Sequence, residues 1–149
     1  MKTTRAVTLV ALTLSVWALA AQTPLQIVPL PRQVERGPDQ LLGESAIVIP
    51  ANASAKVRLA ADELNSRLEE LGAKQLPVLN RSSREEKRFK GRKIQLDVAT
   101  PDKYPGLPDS EQGYLIDSRD NKEALVVGRD EQGLLWGAVT FRRLLQRDD

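Results

Sequence analysis

The residues from Ser54 to Leu71 constrain the fold more than any others in this sequence. Val57, Ala60, Ala61, Leu64, Leu68 and Leu71 recur at three-and-four spacing, while Lys56, Arg58, Asp62, Glu63, Arg67, Glu69 and Glu70 fill the remaining positions. This is the pattern of a helix with one apolar stripe. Ser54 or Asn52 is placed to cap its start, and Gly72 to close its end in the left-handed conformation. One stripe of this width has to be buried against something flat and apolar, which predicts a sheet.

The strands of that sheet are sought on either side. Ala46-Ile-Val-Ile49 is apolar, rich in β-branched residues and stopped by Pro50, and it reads as a strand. Leu76-Pro-Val-Leu79 offers a short strand and the alternating Ile94-Gln-Leu-Asp-Val98 another. A loop marked by Pro101, Pro105 and Pro108 follows. Gly113-Tyr-Leu-Ile-Asp117 and Ala124-Leu-Val-Val127 then flank Ser118 to Glu123, whose Asp120-Asn121 tolerates turn conformations, so this region reads as a hairpin. Upstream, Gln26 to Val34 carries two prolines and is expected to run extended at an edge. The succession of strands and helices predicts an α+β domain: a mainly antiparallel sheet with two helices packed on one face.

The second helix is expected from about Gly133 to Gln146, with Arg129 to Gln132 as its entry turn. Leu134, Ala138, Phe141 and Leu145 form one stripe, and Leu135, Trp136, Val139 and Leu144 widen it beyond what a single sheet needs. Gly137 lies inside the helix, where glycine costs about 1 kcal/mol relative to alanine. The surplus apolar surface predicts a second packing surface, and Trp136, Gly137, Val139, Thr140 and Leu144 are the residues expected to meet a partner domain.

Composition narrows the chemistry sharply. The chain of 149 residues has no cysteine and no histidine. That removes the commonest zinc, haem and iron–sulfur ligands, Ser-His and Cys-His nucleophile arrangements, and histidine general bases. No cofactor and no metal are expected. Two adjacent acidic pairs remain. Asp62-Glu63 falls on the polar face of the first helix, and Asp130-Glu131 falls in the turn before the second, where acidic side chains interact with the positive end of the helix dipole. Neither pair has a neighbour that would drive two pKa values apart, so no catalytic residue is expected. Gly128 and Gly133 lack the spacing and the Lys-Ser/Thr end of a phosphate loop. Asn52-Ala-Ser54 and Asn80-Arg-Ser82 fit the N-glycosylation acceptor pattern, which has meaning only in a glycosylating host.

The chain opens with a basic start (Lys2, Arg5), an apolar run from Ala6 to Leu19, and the small-residue pattern Ala18-Leu-Ala20. This is the layout of a secretory signal peptide over residues 1–21, and the run is short for the roughly 20 residues that span a bilayer. An exported chain with no stable membrane span after cleavage is expected. Loss of Lys2 and Arg5 brings the 22 basic residues level with the 20 acidic ones, so nucleic acid is not an expected partner. The basic stretch Arg81 to Lys93 contains Phe89 alone among aromatics and reads as a solvated connection.

The residues from Gly113-Tyr-Leu-Ile, through Ala124-Leu-Val-Val-Gly-Arg-Asp-Glu-Gln-Gly133, to Leu-Leu-Trp-Gly-Ala-Val-Thr-Phe-Arg-Arg-Leu-Leu145 resemble the end of the non-catalytic N-terminal domain of glycoside hydrolase family 20, the β-N-acetylhexosaminidases. That domain ends on a strand, an acidic turn, and Gly-aromatic-Gly followed by Thr-Leu-x-x-Leu-Leu; position 141 is Phe where Leu is usual. Pro29-Leu-Pro31, Ile47-Val-Ile49 and Ala60-Ala61-Asp62-Glu63-Leu64 are similar to the same domain. Related domains precede the barrels of other glycosidases. The resemblance implies an accessory domain over residues 22–149 that packs on a catalytic (β/α)8 barrel, in cis or as a separate chain. A barrel needs about 250 further residues, and it is absent from this sequence. In the family the catalytic Asp-Glu pair lies on a barrel strand and the substrate's acetamido group acts as nucleophile, so Asp130-Glu131 is not that pair and the chain alone is expected to be inactive. The contrasting reading, a free-standing exported module that binds carbohydrate or protein, has to work with only two Trp, two Tyr and two Phe.

Overall fold

The computed structural model describes Gln33 and residues 42–118, 120 and 122–146. The expected signal peptide and nearly all of the extended segment from Gln26 to Val34 lie outside the described residues. Five strands and three helices follow in the order β1 (Ser45–Ile49), α1 (Ala55–Glu70), β2 (Val78–Asn80), α2 (Arg84–Arg88), β3 (Arg92–Val98), β4 (Tyr114–Asp117), β5 (Glu123–Gly128) and α3 (Glu131–Leu144).

The caps of α1 are those its sequence calls for. Ser54 Oγ accepts from the Val57 amide at 3.3 Å. At the other end Gly72 sits at φ +70°, the Ala73 amide donates to the Leu68 carbonyl and the Gly72 amide to that of Glu69, closing a Schellman motif. Asn65 then holds the chain as it leaves the helix: its amide nitrogen donates to the Leu76 carbonyl at 3.0 Å, and its oxygen accepts from the Leu76 amide at 2.8 Å.

The α+β class holds, but the sheet is mixed, and the expectation of a mainly antiparallel sheet is corrected. In the order β2-β1-β3-β5-β4, β1 pairs parallel with β2 and β3, and β3 pairs parallel with β5; only the β4–β5 hairpin is antiparallel. The physical cause is α1 itself, a crossover long enough to carry the chain back so that β2 lies parallel to β1. β1 shows the matching signature. All five of its residues are buried, as expected of a strand covered on both faces and unlike the alternation of a half-solvated antiparallel strand.

Both long helices lie on one face, as expected. Ile47, Ile49, Ile94, Leu96, Ala124 and Val126 point to that face at alternate strand positions. They meet Val57, Ala60, Ala61, Leu64 and Leu68 of α1 and Leu134, Ala138, Phe141 and Leu145 of α3. Full burial of a side chain such as Leu64 contributes on the order of 2 kcal/mol. The stretch read as a solvated connection contains the five-residue α2, capped by Ser83 Oγ at the Glu86 amide, 3.0 Å away. None of its residues is buried, so hydrophobic periodicity carries no trace of it.

Candidate functional site

The surface that the sequence singles out is α3, and its N-terminus is tied down by one aspartate. Asp130 is the N-cap: Oδ1 accepts from the Gly133 amide at 2.7 Å and Oδ2 accepts from the Gln112 amide at 2.9 Å. The hydrogen bonds from the Gln112 and Gly133 amides hold its carboxyl below the ordinary aspartate value. It is therefore a tied structural acceptor rather than a proton carrier at neutral pH. The helix begins at Glu131, two residues before the expected start, because the acidic turn is itself the cap and first turn.

Gln112 is the residue the cap reaches for. It adopts φ +58°, and its side-chain oxygen accepts from Trp136 Nε1 at 3.2 Å. Gly133 completes the junction: a side chain there would collide with the Gly113 carbonyl oxygen. A bound amide, a residue in the left-handed region and an indole are thus linked across one turn of α3.

The five residues expected to pack against a partner divide into two groups. Gly137 and Thr140 are buried and face the domain's own sheet. A Cβ at Gly137 would lie 3.0 Å from Val126 Cγ1 and 3.3 Å from Tyr114 Cβ, so the missing side chain lets α3 approach β5 and β4. Thr140 Oγ1 is 3.0 Å from the Tyr114 hydroxyl. Trp136 and Val139 are half-buried on the outward side, and Leu144 is 42% exposed at the helix end. Trp136 is flanked on the same side by Gln132 and Arg143 at helical spacing.

The candidate carboxylate pairs are also located. Asp62 is exposed on α1, whereas Glu63 pairs with Arg142 of α3 at 2.6 Å and joins the two helices. Glu70 takes the other side of the same guanidinium. Asp130 is the cap described above, and Glu131 is exposed.

A second polar centre has no precursor in the sequence pattern. Asp97, 4% exposed at the end of β3, accepts from Lys103 Nζ at 2.8 Å, from the Tyr104 hydroxyl at 3.0 Å and from the Val98 amide at 3.0 Å, and it pairs with Arg81 at 3.2 Å. Burial alone would raise its pKa. The Lys103 hydrogen bond, the charge of Arg81 and the Tyr104 hydrogen bond outweigh burial and hold it below the ordinary value. Burial and the bond to Asp97 push the Tyr104 phenol up. Every acceptor direction of this carboxylate is occupied by groups of the chain itself, which makes it a buried tie. Its partners lie 6, 7 and 16 residues away in sequence, and nothing in local spacing announces them.

Among the described residues no group of three or more potential ligands is placed to hold a metal ion, and no helix is long and apolar enough to cross a membrane.

One solved structure, described as a glycoside hydrolase family 138 enzyme targeting pectin rhamnogalacturonan II, shares 20% identity at a TM-score of 0.43, covering 63% of this chain and 12% of that one. The chain therefore spans a small part of that enzyme's length. No curated protein matches significantly. Over residues 24–149 the sequence matches the family described as "Glycosyl hydrolase family 20, domain 2". That match takes in the whole sheet, all three helices and the Asp130 junction, and the chain belongs to the domain 2 family of the family 20 glycosyl hydrolases.

Proposed function

We propose that this domain is the non-catalytic accessory domain of an exported, β-N-acetylhexosaminidase-like glycoside hydrolase, and that it supports a catalytic (β/α)8 barrel joined to it in cis or supplied as a separate chain. The family match over residues 24–149 carries the reading. Three features of the chain support it. The acidic residues nearest to a catalytic pair, Asp130 and Glu131, are a helix cap and a first-turn residue. The outward side of α3 presents Trp136 and Val139, and its C-terminal end Leu144, partly to solvent, apolar surface that the described residues leave partly uncovered. The leader-like pattern of residues 1–21 supports export.

The docking surface in this reading is the outer side of α3, with Trp136 as its anchor. Trp is the residue type most enriched among energetically dominant interface positions. Here its orientation is fixed in advance by Gln112, which lowers the ordering cost of binding. Gly137 and Thr140 act behind it by setting the distance of the helix from β4 and β5.

Two measurements test the proposal. The purified chain should not hydrolyse a chromogenic N-acetylglucosaminide, and turnover abolished by D130N or E131Q would overturn the assignment. A family 20 catalytic barrel expressed without its own accessory domain should bind the chain, and W136A should weaken that binding at least about tenfold, the loss expected of a hot-spot aromatic. Calorimetry with chitin oligosaccharides should show no heat of binding to the chain alone.

A further inference from the structure

The connection between β3 and β4 is long for a segment with neither helix nor strand; connections of this length are uncommon in compact domains unless they do something. It runs from Ala99 to Gly113 as a series of turns, with Leu107 buried beneath it at 4% exposure. At its near end, Lys103 and Tyr104 are both held by the buried Asp97 carboxylate. At its far end, Asp109 accepts from Arg129 at 3.0 Å and the Gln112 amide donates to Asp130 at 2.9 Å. A neutral bond, Trp136 to Gln112, joins these ties. The helices are held to the sheet differently, by the apolar cluster of α1, α3 and the strands. Apart from the buried Leu107, the segment is held by polar ties, whereas the core is held by apolar packing.

We propose that residues 99–112 form an acid-releasable strap, latched by the carboxylates of Asp97 and Asp130, which detaches from the sheet and from Trp136 while the apolar core stays folded. The groups facing each latch set the direction. Asp97 is faced by Arg81 from the β2 side and by Lys103 and Tyr104 from the strap. Asp130 is faced by the Gln112 and Gly133 amides, with Lys56 at longer range. These partners donate hydrogen bonds or carry positive charge, and each favours the ionised carboxylate. Protonation removes the negative charge that each partner favours and turns one acceptor oxygen into a hydroxyl donor, which weakens each contact.

The sign follows from linkage. Asp97 and Asp130 have folded-state pKa values below the ordinary one. Their stabilisation is complete above the unfolded carboxylate value near pH 4 and is lost as pH falls through the folded values. Release is therefore an acid event, and Trp136 loses its Gln112 partner along with the strap. This behaviour belongs to the chain alone and does not rest on the accessory-domain reading.

Hydrogen exchange on the intact chain tests it. Between pH 7 and about pH 2, after correction for intrinsic rates, the Lys103, Leu107 and Gln112 amides should lose at least about tenfold protection before the Leu96 and Val126 amides lose any. At neutral pH, K103M and Y104F remove latches from the strap side without touching the buried carboxylate. Each should lower protection at Lys103 and Leu107 while far-UV circular dichroism stays unchanged. Strap amides that lose protection only together with Leu96 and Val126 would overturn the proposal. So would strap protection that K103M and Y104F both leave unchanged.

Discussion

The Thr140 hydroxyl lies 3.0 Å from the hydroxyl of Tyr114, joining the buried side of α3 to the edge strand β4 across 26 residues of sequence. Thr140 is only 2% exposed, so the bond is sheltered from water on the helix side. Replacement with the near-isosteric valine leaves a hydrophobic side chain beside the tyrosine oxygen. T140V is expected to lower unfolding free energy by about 1 kcal/mol, the net worth of such a bond. A double-mutant cycle with Y114F, measured by urea denaturation, should return a coupling of similar size. Additivity of the two changes would show that the contact contributes nothing.

Gly137 poses a competition between two known effects. Alanine in a helix interior is favoured over glycine by about 1 kcal/mol. Its methyl group, however, would stand 3.0 Å from Cγ1 of the fully buried Val126 and 3.3 Å from Tyr114 Cβ. Overpacking a tight core costs about 1–3 kcal/mol, so G137A should destabilise modestly on balance and G137L by more than about 3 kcal/mol. A G137A protein more stable than its parent in thermal denaturation would show that α3 can lift from the sheet at little cost.

Asp130 carries two bonds with one side chain. D130A removes the cap of α3 and the acceptor for Gln112, and loss of a cap alone costs about 1 kcal/mol. The pH dependence has a definite sign. Because the carboxyl titrates below its ordinary value in the folded chain, its contribution is present above the unfolded value near pH 4 and disappears as pH falls through the folded one. Stability curves of parent and D130A should accordingly converge in acid. Curves that remain parallel down to about pH 2 would assign the effect to something other than the ionised cap.

The reach of the sequence can be judged from these residues. The stripe of α1, the Ser54 and Gly72 caps and the β4–β5 hairpin were legible because each is written in contiguous residues with a local physical cause. Strand direction was not. The uninterrupted run Ala46 to Ile49 carried the mark of a strand buried on both faces, yet parallel pairing depends on where a crossover returns the chain. The surplus apolar width of α3 was readable, whereas its division was not. Gly137 and Thr140 serve the domain's own sheet, a fact that depends on the approach of Val126 and Tyr114. Asp97 looked like one polar position in an alternating strand. Its role appears only when Arg81, Lys103 and Tyr104 converge on it from two connections.

Arg142 offers the last test, at the contact between the two long helices. Its guanidinium bridges Glu63 and Glu70, both on α1, from a position 29% exposed on α3. The hydrogen bond from Arg67 is the largest influence on the Glu70 carboxyl; burial opposes it, and the charge and hydrogen bond of Arg142 help to hold the group below its ordinary value. Water reaches the pair, so screening should matter, because the Debye length falls from about 10 Å at 0.1 M salt to about 3 Å at 1 M. R142Q keeps much of the stem and removes the charge. Its melting temperature should fall a few degrees below that of the parent at low salt, and the gap should narrow in about 1 M sodium chloride. A gap independent of salt would assign the contribution of Arg142 to packing of its stem between α1 and α3 rather than to its charge.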